Sequence, residues 1–236
     1  MVNEQRDIEF NRQEFASEHI EDCVYENFPL ETIKEFTALL QTTPDLKGCN
    51  VTIPYKEEII PYLDELDVAA KEIGAVNVIK ILPGGKLIGY NSDYYGFKIS
   101  LQKFIPANQP LRALILGTGG AAKAVAVALK DIEIPYQYVS RSKGAGVISY
   151  AEIDEKILKH YSIIINTSPL GMYPDIDSFP DIPYHFLTDK HYLYDLVYNP
   201  EVTMFMRKGS EYGAHVINGL EMLIGQAEKA WEIWNQ

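Results

Sequence analysis

The chain has 236 residues, 47% hydrophobic and 23% charged, with 33 acidic against 21 basic side chains and a formal net charge of −12. That length is enough for one large or two small domains and excludes a disordered, collagenous or repeat-built chain, while the acidic balance without any Lys/Arg-rich run excludes nucleic acid as a partner. Two cysteines, Cys23 and Cys49, cannot make a disulfide framework or a four-thiolate metal site, and a polar N-terminus without any run of about 18 apolar residues predicts a cytoplasmic chain with no membrane span.

From the N-terminus, YENF at 25–28 reads as a strand, 31–40 as a helix, CNVTI at 49–53 as a strand, and 56–72 as a helix opened by Lys56 after Pro54. Strands follow at 75–80 (AVNVIK) and 86–91 (KLIGYN), joined by an LPGG turn at 82–85 whose Pro and Gly favour turn dihedrals. The segment LQKFIPANQPL, with two prolines and an asparagine, reads as the crossing into a second domain.

From residue 111 the pattern becomes an apolar run (LRALIL), a glycine cluster (GTGG), a small-residue helix (AAKAVAVALK) and a second apolar run (IPYQYV), which is a βαβ unit. Further strands are predicted at 162–166, 193–197 and 215–217, with helices at 151–160, 201–212 and 220–234. The fold class is therefore α/β. A doubly wound Rossmann-type domain spans 101–217, and an N-terminal α/β domain spans 1–100 together with 218–236.

Gly117, Gly119 and Ala122 fill a GxGxx(G/A) pattern between a strand and a helix, with Gly120 beside them, so that bare backbone amides face a pyrophosphate. The alternative is a tight turn with no ligand. At the end of the next strand, where NAD sites carry an acidic residue, the chain has Ser140, Arg141, Ser142 and Lys143. A guanidinium and hydroxyls suit a 2′-phosphate, which predicts NADP over NAD.

Asn50 and Thr52 alternate with Val51 and Ile53, giving one polar strand face. A lysine at a helix start opposes the macrodipole, so Lys56 asks for a carboxylate or a substrate oxygen as partner. Asp93, with Asn91 and Ser92 before it, follows a strand in the kind of loop that holds ligands in α/β folds; a capping role is the alternative. The segments NTSPLGM (166–172) and DLVYNP (195–200) follow two more strands. The five histidines show no metal-ligand spacing, so no metal is predicted. GxSxG and P-loop patterns are absent, leaving serine hydrolysis and nucleotide triphosphate hydrolysis without support.

Taken in order, NVTIPYKE, GAVNVI, GYNSDYYGF, GTGGAAKA, NTSPLGM, DLVYNP and NGLEMLIGQA resemble the shikimate dehydrogenase family over residues 49–227. The resemblance implies an NADP-dependent oxidoreductase reducing 3-dehydroshikimate to shikimate, reversibly, in aromatic amino acid (chorismate) biosynthesis. Lys56 and Asp93 would be its catalytic pair, with Asn50, Thr52, Asn77, Tyr198 and Gln226 at the small-molecule substrate. Asn166, Thr167, Ser168, Gly219 and Met222 would line the nicotinamide end of the cofactor. Family members carry an earlier strand and a GxPxxHSxSP loop, whereas residues 1–9 hold no Ser, no His and no apolar run, and Glu4 and Arg6 stand roughly at the serine positions. Bared strand edges and a less stable N-terminal domain are expected from this, with domain swapping or a homodimer as relief. Two other readings stay open: an NADP-binding protein without turnover, and a dehydrogenase of quinate or an amino analogue.

Overall fold

The structure, a computed structural model, describes residues 23–107 and 109–236. The expectations placed on residues 1–9 lie outside them. Two sheets organise the chain. The smaller contains β1 (Gly48–Asn50), β2 (Glu65–Leu66), β3 (Val78–Ile81) and β4 (Leu87–Tyr90), in the order β1-β3-β4-β2. The larger contains β5 (Ala113–Leu116), β6 (Tyr136–Ser140), β7 (Val147–Ser149), β8 (Ile163–Asn166), β9 (Tyr192–Asp195) and β10 (His215–Ile217), all parallel, in the doubly wound order β10-β9-β8-β5-β6-β7.

The helices are α1 (Phe36–Thr42), α2 (Val68–Ile73), α3 (Ser92–Phe104), α4 (Gly120–Asp131), α5 (Glu155–His160), α6 (Met204–Glu211) and α7 (Leu220–Asn235). The large sheet is apolar on both faces because helices cover both. Ala113, Ile115, Ile163, Ile165 and Tyr194 pack against Phe97 and Leu101 of α3 and Val125 and Leu129 of α4. The alternate residues Leu114, Leu116, Ile164 and Leu193 pack against Leu158 of α5 and Phe205 of α6. Burying each of these leucines and isoleucines contributes roughly 1.5–3 kcal/mol.

In the small sheet Ile79 and Leu87 join Phe36, Ile59, Ala70 and Val76 in one core, and on the opposite face Val78 meets Ala230 and Ile233 of α7. The C-terminal helix thus packs on the N-terminal sheet. A smaller apolar contact of Ile73 and Ala75 with Ala124 seats the α2 region on α4.

Several elements depart from their sequence pattern. Residues 25–28 form no strand. The helix expected over 56–72 is broken: residues 53–59 are turns, Ile60–Tyr62 is a 3₁₀ turn with Pro61 at its start, and β2 intervenes. Asp64 accepts the Leu87 N–H at 2.7 Å, and Asp67 caps α2 through Ala70 N–H at 2.8 Å. These carboxylates hold backbone amides that one continuous helix would have used itself. Lys56 therefore does not open a helix, and a macrodipole has no part in its placement. The helix expected at 31–40 opens as a 3₁₀ turn, Ile33–Glu35, capped where Glu35 reaches back to the Thr32 N–H and hydroxyl, and becomes α-helical from Phe36 to Thr42. Strand β7 carries no strong apolar run and escapes the sequence reading.

Candidate active site

Lys56 sits in the turn after β1 and Asp93 in the first turn of α3, and their side chains meet: Lys56 Nζ donates to Asp93 Oδ2 at 2.7 Å. Both are partly open to solvent, at 29% and 23% side-chain exposure, so a small molecule can reach the pair. The irregular turn is pinned from behind, where Val76 N–H donates to the Lys56 carbonyl at 2.7 Å and Tyr55 OH donates to the Leu30 carbonyl. A main-chain tie of this kind fixes Lys56 without a helix.

Asp93 is held as firmly. Asn91 caps α3 by accepting the Tyr94 N–H, and Asn77, almost fully buried, donates to Asp93 Oδ1 and to Ser92 Oγ, each at 3.0 Å. Asn77 Oδ1 in turn accepts the Ser92 N–H at 2.7 Å. With Oδ1 of Asp93 engaged by Asn77, Oδ2 is the oxygen presented to Lys56. Ser92 Oγ donates to Gln226 Oε1 on α7 at 3.3 Å, which brings the C-terminal helix into the same network.

That reach across helices depends on two glycines. A Cβ on Gly96 would lie 2.3 Å from the Met222 carbonyl oxygen, and one on Gly225 would lie 3.2 Å from Gly96 Cα, so α3 and α7 touch backbone to backbone. Glycine inside a helix costs about 1 kcal/mol in propensity. That cost is the signal in the sequence, and close packing is what it reports.

Asn50 ends β1 and donates through Nδ2 to Tyr25 OH at 2.8 Å, while its Oδ1 is buried and accepts no hydrogen bond among the described residues. Thr52 lies exposed on the turn, its carbonyl accepting the Tyr55 N–H. Tyr198 is half-buried after β9. Tyr25, read from sequence only as part of a strand, is a partner that spacing gave no way to foresee.

The glycine loop lies at the carboxyl end of β5. Gly117 adopts φ +131°, and a Cβ there would meet Thr167 Oγ1 at 2.5 Å, so only glycine fits beside the 166–168 loop. Gly119 is the N-cap of α4 and provides no side-chain cap; at Gly119 and Gly120 a Cβ would meet nothing within 4 Å. The start of this twelve-residue helix thus has neither a side-chain cap nor a side chain at Gly119 and Gly120 to block approach, an arrangement that suits a pyrophosphate. Ala122 faces the core.

Asn166, Thr167 and Ser168 form a braced loop. Ser168 Oγ donates to Asn166 Oδ1 at 2.6 Å, Asn166 Nδ2 donates to Asp195 Oδ1 at 2.9 Å, and Thr167 Oγ1 donates to the Leu116 carbonyl. Asp195, fully buried, also accepts from Thr203 Oγ1 at 2.6 Å and Val197 N–H at 3.1 Å, and burial pushes its carboxyl up to about 6. Gly219 stacks on the next stretch, where a Cβ would lie 2.2 Å from the Leu196 carbonyl, and Met222 packs on the α3–α4 core. At the end of β6, Ser140 Oγ donates to the Ser142 carbonyl at 2.6 Å and Arg141 stands exposed.

Among the described residues no group of three or more His, Cys, Asp or Glu side chains converges as metal ligands, and no helix is long and apolar enough to cross a membrane. A family model described as the shikimate dehydrogenase substrate binding domain matches residues 6–79. A shikimate dehydrogenase (NADP(+)) of Clostridium beijerinckii is 44% identical over 81% of this chain and 73% of its own length, and that of Carboxydothermus hydrogenoformans is 41% identical over 87% and 79%. A crystal structure of a shikimate dehydrogenase in complex with NADP+ is 32% identical and superimposes with a TM-score of 0.85 over 99% of this chain and 86% of that one. The Listeria monocytogenes shikimate 5-dehydrogenase, solved with shikimate and NAD, gives 0.86 at 25% identity over 97% and 86%. Sequence likeness that runs through both sheets, on the same backbone, places the chain in the shikimate dehydrogenase family.

Proposed function

We propose that this chain is an NADP-dependent oxidoreductase that interconverts 3-dehydroshikimate and shikimate, with Lys56 and Asp93 as its catalytic pair. The observation that carries the reading is the 2.7 Å contact of Lys56 Nζ with a carboxylate whose second oxygen is already engaged by Asn77. An ammonium held this way is aimed, ready to give a proton to an oxygen that gains negative charge. NADPH, when bound, supplies the hydride to the carbonyl carbon. Lys56 gives the alkoxide its proton, and Asp93 stabilises the ammonium that reforms when solvent returns one. In the oxidative direction Lys56, as the amine, accepts the hydroxyl proton.

Asn50, Thr52, Asn77, Tyr198 and Gln226 would bind the substrate. The buried Asn50 Oδ1, with no donor among the described residues, supports this, because a ring hydroxyl would satisfy it. The backbone at Gly119 and Gly120, unobstructed where a side chain would stand, would hold the pyrophosphate, Arg141 with Ser140 and Ser142 the 2′-phosphate, and Asn166, Thr167, Ser168, Gly219 and Met222 the nicotinamide end. Residues 1–100 with 218–236 would form the substrate domain and 101–217 the cofactor domain; the packing of α7 on the small sheet supports that division. A homodimer through β1 is supported by its pairing, which among the described residues is with β3 alone. Free thiols at Cys23 and Cys49 support a cytoplasmic setting.

Steady-state NADP+ reduction with shikimate, run beside NAD+ and quinate, tests the reading. Turnover with shikimate and NADP+ that disappears in Lys56→Met is the expected result. Intact NADP+ binding without any turnover would return the chain to a binding role.

A further inference from the structure

The turn that follows β6 has an unusual construction. Strands β6 and β7 pair in parallel, with Ser140 beside Ser149, yet only six residues, 141–146, connect them. Parallel neighbours ordinarily need a crossover of about a dozen residues or more. Here the chain doubles back through mutual backbone bonds between Gly144 and Val147, with Gly146 at φ +69° and its carbonyl accepting from Gln137 Nε2 at 2.7 Å.

One result is that a carboxylate reaches the carboxyl end of this strand pair. Glu152 Oε2 accepts the Ser149 N–H at 2.9 Å and the Ser149 hydroxyl at 3.0 Å, so the carboxylate is fixed at the residue aligned with Ser140. Lys143, on the turn itself, folds back and donates to Glu152 Oε1 at 2.6 Å. The turn therefore presents two cations in sequence but commits one of them to an acid two elements away. Arg141 stands apart and exposed, its charge acting on the Tyr150 hydroxyl. The Lys143 ammonium and the two Ser149 donors hold the Glu152 carboxyl down at about 2, so it carries a full negative charge at any working pH.

At the end of the second strand, where Ser140 stands, a dinucleotide-binding sheet ordinarily carries an acid that accepts a ribose 2′-hydroxyl and repels a 2′-phosphate, and here the acid fixed at the neighbouring strand end is Glu152, from beyond β7. Resting on the cofactor reading above, we propose that Lys143 and Glu152 are specificity-determining positioning residues for the cofactor. Lys143 masks a carboxylate that, uncovered, turns the site from the 2′-phosphate of NADP towards the 2′-hydroxyl of NAD.

The test is equilibrium binding of NADP+, NAD+ and the probe 2′,5′-ADP to the full chain by titration calorimetry, without turnover. Four proteins are compared: the parent, Lys143→Ala, Glu152→Gln and the double variant. Gln keeps an oxygen for the Ser149 donors, and melting curves check that each variant folds. Lys143→Ala is expected to weaken NADP+ and 2′,5′-ADP about tenfold, through the repulsion between an uncovered carboxylate and a phosphate, and to leave NAD+ as tight or tighter. Glu152→Gln should not weaken NADP+, and in its background Lys143→Ala should cost almost nothing. An equal loss in both backgrounds means that Lys143 acts on the phosphate by itself and overturns the proposal, as does an unchanged NADP+/NAD+ ratio in Lys143→Ala. A parent chain that does not favour NADP+ sinks the cofactor reading and this proposal with it, an outcome distinct from the other two.

Discussion

Lys123 Nζ donates to Glu57 Oε1 at 3.0 Å, joining the first turns of α4, the helix behind the glycine loop, to the residue next to Lys56. A second pair, Lys130 with Glu72 at 2.6 Å, closes the other end of the same helix, and the Ile73, Ala75 and Ala124 contact lies in the same region. At its third anchor Asp131 receives Lys98 and Tyr94 from α3. Because turn 53–59 has no regular ladder of its own, the Glu57 tie is one of few restraints on where Lys56 stands relative to the glycine loop. Both partners are exposed, so the tie contributes about 0.5 kcal/mol and is sensitive to salt. Glu57→Gln and Lys123→Gln should each lower kcat about two- to fourfold, and their double variant should lose no more than either alone. Raising the salt should slow the parent and leave the variants nearly unmoved. Additive losses in the double variant would show that the two residues act separately.

Removing the Asp93 charge tests the pair at the centre of the site. Asp93→Asn keeps the side-chain shape but has one acceptor oxygen for two donors, Asn77 Nδ2 and Lys56 Nζ, and no charge to stabilise the ammonium, so kcat should fall by about a hundredfold or more while KM changes less. If kcat stayed within about threefold of the parent, the role given to Asp93 would be wrong. Asn77→Ala should act less directly. It releases Asp93 Oδ1 and strands the buried Ser92 amide, so the loss should show both in kcat and in melting temperature.

The elements that sequence showed best are those buried on both faces. Ile163–Asn166 and Ala113–Leu116 are short apolar runs because helices cover both sides of the large sheet, and the run itself is the signal. Val147–Ser149 gave no such signal, because it is an edge strand only half buried and its pairing is set by the tight turn before it. The helix start that singles out Lys56 in the sequence is absent from the fold. The apolar spacing over 56–72 looked helical, yet Asp64, Pro61 and Asp67 divide it, and what places Lys56 is a carbonyl bond to Val76, 20 residues on. Motif order points to the proposed site residues, whereas the hydrogen bonds between them and their neighbours, Asn50 to Tyr25 and Ser92 to Gln226, join segments that no local pattern connects.

Gly96 offers a direct test of how the C-terminal helix reaches the site. Gly96→Ala should improve helix propensity by about 1 kcal/mol if only the backbone mattered. Its Cβ, however, meets the Met222 carbonyl at 2.3 Å and Gln226 N at 2.8 Å, both main-chain atoms that cannot swing aside. Overpacking of this kind costs about 1–3 kcal/mol, so the melting temperature should fall by about 2–10 °C. Moving α7 outward also lengthens the Ser92–Gln226 bond, and KM for shikimate should rise more than kcat falls. A variant as stable as its parent would show that α3 and α7 are not packed this closely in solution.

Asp195 makes the pH dependence of stability informative. Its carboxyl is raised by burial from an ordinary 3.8 to about 6, even though Asn166, Val197 and Thr203 all donate to it. Between those values the folded chain binds a proton that the unfolded chain has released, so the group's contribution is complete below about pH 4 and is lost as pH rises through about 6. The shift corresponds to something on the order of 3 kcal/mol. Asp195→Asn keeps Oδ1 for Asn166 and Val197 and turns its amide towards the Thr203 hydroxyl, so no charge has to be buried. Denaturant melts of the two proteins at pH 4.5, 5.5, 6.5 and 7.5, chosen to bracket the raised carboxyl, should show the parent losing ground steadily to the variant as the pH rises and the gap levelling off above about 7. A gap that did not change with pH would mean that the three donors hold the carboxylate ionised throughout. The bracing of the 166–168 loop would then rest on a buried negative charge, and not on a carboxyl that takes up a proton.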